Sequence, residues 1–204
     1  MQRCLLPVCI LDLMLTAVLS AKPLPRFDPP SPPAGDERTP RVVMETNHGR
    51  IVIELHADKA PITVKNFLQY VDDQYYDGTI FHRVIAEFMI QGGGHVPGMG
   101  EKKTREPIKN ESENGLTNER GTIALARTAN PDSGTAQFFI NTKDNSFLDR
   151  AKSADRTGYC VFGRVIEGID VVDRIRRVPT GQQGVYRDVQ VQDVIIRSVR
   201  RLAR

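Results

Sequence analysis

Two short runs constrain this chain more than anything else in it: FHRVIAEFMIQGG over residues 81–93 and TAQFFIN over residues 135–141. Both carry the period-two alternation of a β-strand, which puts Met89 and Gln91 on one face of the first run and Gln137 and Phe139 on one face of the second. Each face mixes an amide with a large apolar side chain. A strand inside a core would turn only apolar residues inward, and a strand on the surface only polar ones outward. The mixture suits the wall of a half-wet pocket built on sheet.

The rest of the pattern extends that sheet. Residues 42–46, a turn at 47–49 and residues 51–55 read as a hairpin, with Ile51, Ile53 and Leu55 on one face. Pro61 suits a first helical turn, and Val64, Phe67, Leu68 and Val71 fall at helical spacing. Further strands are expected over 79–84, 88–91, 122–126, 138–140, 160–165 and 189–196, with a second short helix at 169–175. Residues 92–120, rich in glycine and charge, read as a long irregular connection. Many strands with two helices suggest a mainly β fold, a closed barrel capped at its ends.

The chain is 204 residues long, 40% hydrophobic and 26% charged, enough for one domain with a proper core. Its formal net charge of +3, without a dense basic stripe, argues against nucleic acid as a partner. Before residue 41 the composition changes. Arg3, a mostly apolar run over 5–19, and Val18 with Ser20 or Leu19 with Ala21 form the pattern of a secretory signal peptide over residues 1–21. Asp12 and Pro7 interrupt that run, which is short for a membrane span. Cleavage would leave a periplasmic or secreted protein; an uncleaved segment would anchor it at a membrane. Residues 22–40 contain seven prolines and few large apolar groups, so burial cannot offset their ordering entropy and they read as a disordered linker. The folded domain is expected over 41–199, with a solvated basic tail over 200–204. Cys4 and Cys9 lie in the leader, which leaves Cys160 as a lone strand thiol behaving as a small hydrophobe.

Four blocks in order, YYDGTIFHRVIAEFMIQGG, GTIALARTANPDSGTAQFFIN, FLD at 147–149 and YCVFGRVIEGIDVVDRI at 159–175, resemble the cyclophilin family of peptidyl-prolyl cis-trans isomerases, most closely its bacterial, periplasmic branch. The resemblance spans residues 41–199. It implies a closed eight-stranded antiparallel β-barrel capped by two α-helices, with the site on the outer wall. It also implies a monomer that needs no cofactor and acts on proline-containing polypeptides during the folding of exported proteins. Arg83 would be the catalytic donor, because a guanidinium stays protonated and offers several fixed N–H groups. Phe88, Met89, Phe139 and Leu148 match the apolar pocket for the proline ring, and Gln91 the amide that contacts substrate backbone, with Gln137 beside it. Arg127, Thr128 and Ala129 align with the segment whose main chain pairs with an extended peptide. Phe147 stands where many eukaryotic members have tryptophan, Tyr159 where they have histidine, and Thr128 where they have asparagine. A phenyl ring cannot donate the indole hydrogen bond, so weak cyclosporin binding is expected.

Other chemistries fit less well. His48, His56, His82 and His95 lack ligand spacing, so no metal site is expected. His82 would point opposite to Arg83 as a hydrogen-bonded inner residue. QGGG at 91–94 lacks the lysine and hydroxyl of a phosphate loop. The rival function is a proline-binding chaperone or scaffold whose catalysis is incidental, since the same pocket would hold X-Pro segments.

Overall fold

The computed structural model describes residues 39–202. The leader and most of the linker expected from the sequence lie outside those residues. In chain order the elements begin with β1 (Arg41–Thr46), β2 (Gly49–Leu55), α1 (Pro61–Asp72), β3 (Thr79–Ile80), β4 (Arg83–Ile85) and β5 (Met89–Gly92). There follow β6 (His95–Val96), β7 (Gly100–Glu101), β8 (Thr122–Leu125), β9 (Phe138–Asn141) and a single 3-10 turn at Ser146–Leu148. The chain ends with β10 (Val161–Glu167), α2 (Ile169–Ile175), β11 (Thr180–Gln183), β12 (Tyr186–Gln190) and β13 (Ile195–Arg201).

Eleven of these strands form one curled antiparallel sheet in the order β4-β5-β9-β8-β10-β2-β1-β13-β3-β6-β7, while β11 and β12 make a separate hairpin. The fold is mainly β with two helices. Alternation sorts the side chains of each strand. Val84, Ile90, Phe138, Ile140, Ile123 and Leu125 join the main core, with Phe67 of α1 and Val172 of α2 packed into it. Their neighbours Met89, Phe139, Ala124 and Val161 face the other way and form a second, smaller apolar cluster. That second cluster is where a pocket can form.

Both helices are set by local chemistry. Pro61 opens α1, and no side chain of its own caps it. Glu111, far along the chain, does so instead, its carboxylate accepting from the Ile62 and Thr63 N–H groups at 3.1 and 2.8 Å. Gly168 precedes α2 in the left-handed region at φ +85°, where an added Cβ would meet the Arg50 carbonyl at 2.3 Å.

Three expectations need correction. The run over 189–196 is not one strand: β12 stops at Gln190, the chain bends, and β13 starts at Ile195. The two halves serve different cores, since Val189 packs with Ile80 and Met99 whereas Ile196 and Val199 enter the main one. Arg200 and Arg201 do not lie in a solvated tail. They continue β13, paired with β1, and form bidentate contacts with Asp77 and Asp72 at 2.6 to 2.8 Å. Within the expected irregular stretch, β6 and β7 pair briefly, and the remainder is pinned by side chains. Asp149, for example, accepts from the Asn118 main-chain and amide N–H groups at 2.7 and 3.0 Å.

Candidate functional site

The outer cluster gathers residues from five strands, β4, β5, β8, β9 and β10, and from the connections between them. Arg83 of β4 lies opposite Gln91 of β5, which lies opposite Phe139 of β9, which lies opposite Ala124 of β8. Adjacent strands run about 4.8 Å apart, so this row sets a cation, an amide and a phenyl ring side by side within roughly 10 Å. Met89, one pleat further along β5, is 2% exposed and shares the cluster with Phe139 at 4% and Leu148 at 8%. Half-buried Phe88, Tyr159, Ile85, Leu116 and Ala126 complete its walls.

Aromatic contacts and hydrogen bonds fix those walls. Tyr159 meets Phe139 edge-on at 5.6 Å, and its N–H donates to the Leu148 carbonyl at 2.9 Å. The Phe88 carbonyl accepts from the Asn145 amide at 2.7 Å and the Thr142 N–H at 3.1 Å, which ties β5 to the 3-10 turn. Phe147, 55% exposed, stacks on Phe88 at 5.6 Å and forms a lip.

The polar side of the site is an amide chain. Gln91 Nε2 donates to Gln137 Oε1 at 2.9 Å, so the two strand runs meet where their sequences diverge from a core pattern. Gln137 also lines a neighbouring cavity of about 480 Å³ with Gly94, Lys102, Thr104 and Thr135. Arg83 is half-exposed, and its Nε sits 3.6 Å from Asp188 Oδ2 on β12.

The 127–129 segment, whose main chain is the part expected to meet a peptide, is held in place by side-chain hydrogen bonds. The Arg127 side chain is only 4% exposed, and its guanidinium is used internally. It donates to the Gly158 carbonyl at 2.9 Å, Asp155 Oδ2 at 2.5 Å and Thr157 Oγ1 at 2.9 Å, and stacks over Tyr159 at 4.5 Å. Hydrogen bonds from Thr157 and then from Arg127 hold the Asp155 carboxyl far below the usual carboxylate range. The Thr128 N–H donates to Ser133 Oγ at 2.8 Å, so that donor is occupied, while Thr128 and Ala129 themselves are exposed at the rim. Arg127 therefore braces the Tyr159 wall rather than facing the pocket.

Groups outside the cluster are chemically quiet. Burial pushes the Cys160 thiol up to about 11. His82 is buried as expected, but its Nδ1 has no hydrogen-bond partner among the described residues; its ring lies 4.3 Å from that of His95. The sequence reading missed Ala124 and Val161, whose outward direction is hidden in ordinary core-like strands, and Asp188, for which no local signal exists.

Comparison with known proteins points to one family. The model of the cyclophilin type peptidyl-prolyl cis-trans isomerase family matches residues 41–201. The chain is 59% identical over 159 residues to peptidyl-prolyl cis-trans isomerase B of Escherichia coli, covering 78% of this chain and 97% of that protein. It is 56% identical over 160 residues to the isomerase cyp18 of Streptomyces antibioticus, covering 78% and 96%. A crystal structure of a Cryptosporidium parvum cyclophilin, determined in the presence of the dipeptide Ala-Pro, superposes with a TM-score of 0.70 at 26% identity, over 80% of this chain and 99% of that one.

Proposed function

The chain belongs to the cyclophilin family of peptidyl-prolyl cis-trans isomerases, and from that membership we propose that it turns X-Pro bonds on the outer cluster, with Arg83 as the catalytic donor. Rotation about a peptide bond faces about 18 to 20 kcal/mol, and an X-Pro bond alone isomerises over roughly tens to hundreds of seconds. A rate of roughly a hundred to a thousand turnovers per second needs about 6 to 7 kcal/mol of stabilisation reserved for the transition state. No covalent step is required. As the amide twists, its nitrogen regains a lone pair that a fixed N–H can meet, and a donor aimed there favours the twisted form over either planar one.

The observation that carries this reading is the row Arg83, Gln91, Phe139 beside the apolar cluster. Met89, Phe139 and Leu148, with Phe88 at the edge, would take the ring of proline by burial worth roughly 2 kcal/mol. Gln91, held by Gln137, would orient the substrate backbone next to Arg83, and Phe147 and Tyr159 would flank the following residue. With the Thr128 N–H taken by Ser133, the Thr128 carbonyl and the Ala129 main chain would be the groups offered to an extended peptide, with Arg127 as their brace. Such a site reads backbone and proline more than other side chains, and it would act on a single copy of the chain.

We also read the curled sheet as a closed eight-stranded barrel. Only Phe81 and His82 separate β3 from β4, and the Phe81 N–H donates to the Val194 carbonyl at 3.0 Å, which supports counting them as one bent strand that links β4, at one end of the sheet order, back to β13, with the short β6 and β7 as an extension beyond the closure. The apolar leader over 1–21 supports work on exported polypeptides, in the periplasm or beyond.

The test is the full chain against its Arg83→Ala variant on an Ala-Pro reporter peptide. We expect kcat/KM to fall at least about a hundredfold, with an unchanged circular dichroism spectrum. Equal rates would refute the role of Arg83.

A further inference from the structure

We propose that Asp188 is the positioning residue that aims Arg83; the inference rests on Arg83 being the catalytic donor. Among the described residues it is the one carboxylate in ion-pair range of Arg83, with Oδ2 at 3.6 Å from Nε. The contact falls on the inner nitrogen of the guanidinium. Both Nη atoms are left to donate elsewhere, on a residue whose cross-strand neighbour is Gln91.

The fold directs Asp188 to that place. In the β11–β12 hairpin, Gly181 pairs with Val189 and Gln183 with Tyr186, so two residues of β12, Arg187 and Asp188, oppose the single residue Gln182. This is a bulge, and Asp188 takes its left-handed backbone at φ +59°. A bulge re-aims a side chain away from the regular pleat. The next residue, Val189, is buried with Ile80 and Met99, which clamps the hairpin beside β3, and β12 packs along β4. Asp188 is thus fixed by its neighbour while its own carboxylate reaches Arg83 from β12, a strand that is not a sheet partner of β4.

An arginine has four rotatable side-chain bonds, and a half-exposed one samples many directions. A carboxylate beside Nε restricts the plane of the fork before substrate arrives. The effect belongs in kcat more than in KM, because the aimed N–H meets a nitrogen that becomes an acceptor only in the twisted state.

The experiment uses the full chain with Asp188→Asn, since asparagine keeps the shape and tolerates the left-handed backbone. Asp188→Gly is the second variant, free of backbone strain at that φ. We expect kcat to fall about three- to tenfold in both, with KM within about twofold and an unchanged melting temperature. Raising ionic strength should lower wild-type kcat and leave that of Asp188→Asn flat, because salt screens the pair. In an Arg83→Lys background, which lacks Nε in that position, Asp188→Asn should change kcat less than about twofold. Wild-type or raised kcat in Asp188→Asn would overturn the inference, and so would an equal loss in the Arg83→Lys background. Should Arg83→Ala itself retain the wild-type rate, the reading of Arg83 fails instead, so the two failures are distinguishable.

Discussion

Mild acid is expected to destabilise this protein through His82. Its ring is 6% exposed, next to the His95 ring and one residue from Arg83. Burial first, and then the positive charges available at His95 and Arg83, push its pKa down to about 3 against 6.5 for a free imidazole. A histidine held neutral in the folded state binds its proton more readily when unfolded. Stability is therefore full above pH 6.5 and is lost as pH falls toward the folded value. With about 1.4 kcal/mol per pH unit, the loss from this one group reaches about 2 kcal/mol at pH 5 and about 3 kcal/mol at pH 4. His95, whose pKa burial also lowers, adds in the same direction. For a domain of this size, 2 kcal/mol corresponds to roughly 4 to 8 °C in melting temperature. Thermal unfolding followed by circular dichroism between pH 7 and pH 5 reads this window cleanly, because carboxylates such as Asp77, whose pKa the Arg200 contact lowers, take effect only below it. Replacing the ring by His82→Phe should flatten the slope over that range. Identical slopes for the two proteins, or wild-type stability that rises on acidification, would refute the assignment of His82 as a buried neutral base.

Two further outcomes test the walls of the site. In Gly94→Ala the added methyl would lie 2.5 to 2.6 Å from Gln137 Cγ, Cδ and Nε2, so the whole side chain beyond Cβ must swing away and release Gln91; kcat/KM should fall about two- to tenfold, and an unchanged rate would remove the amide pair from the mechanism. Phe147→Trp places an indole donor on the exposed lip against Phe88; isothermal titration should find cyclosporin bound about tenfold more tightly, with isomerase activity within about threefold of wild type, and equal affinity would refute the account of the missing hydrogen bond.

Much of the site was legible because its residues sit on strands with an unusual alternation. Gln91 and Gln137 stand out in apolar runs, and they meet at 2.9 Å because β5 and β9 pair in the register that places Gln91 against Phe139. The helix over Pro61–Asp72 followed from helical spacing, since its buried stripe is a property of consecutive residues. What misled was composition. Arg200 and Arg201 look like a charged terminus, yet their partners Asp77 and Asp72 stand 123 and 129 residues earlier, Asp72 at the end of α1 and Asp77 in the turn that follows it. Nor does the sequence show that Asp155, Thr157 and Gly158 draw the Arg127 guanidinium inward.

Residues 41–201 thus announce, by period and by the order of their motifs, a curled sheet with a mixed apolar and amide face and an arginine beside it. Periodicity is local, and a one-dimensional string records it. Which carboxylate stands behind Arg83, where the final strand breaks and which arginines brace rather than bind were decided only in three dimensions. Those outcomes depend on pairs far apart along the chain and on a single left-handed residue that turns a side chain out of its pleat, and neither leaves a mark on neighbouring letters.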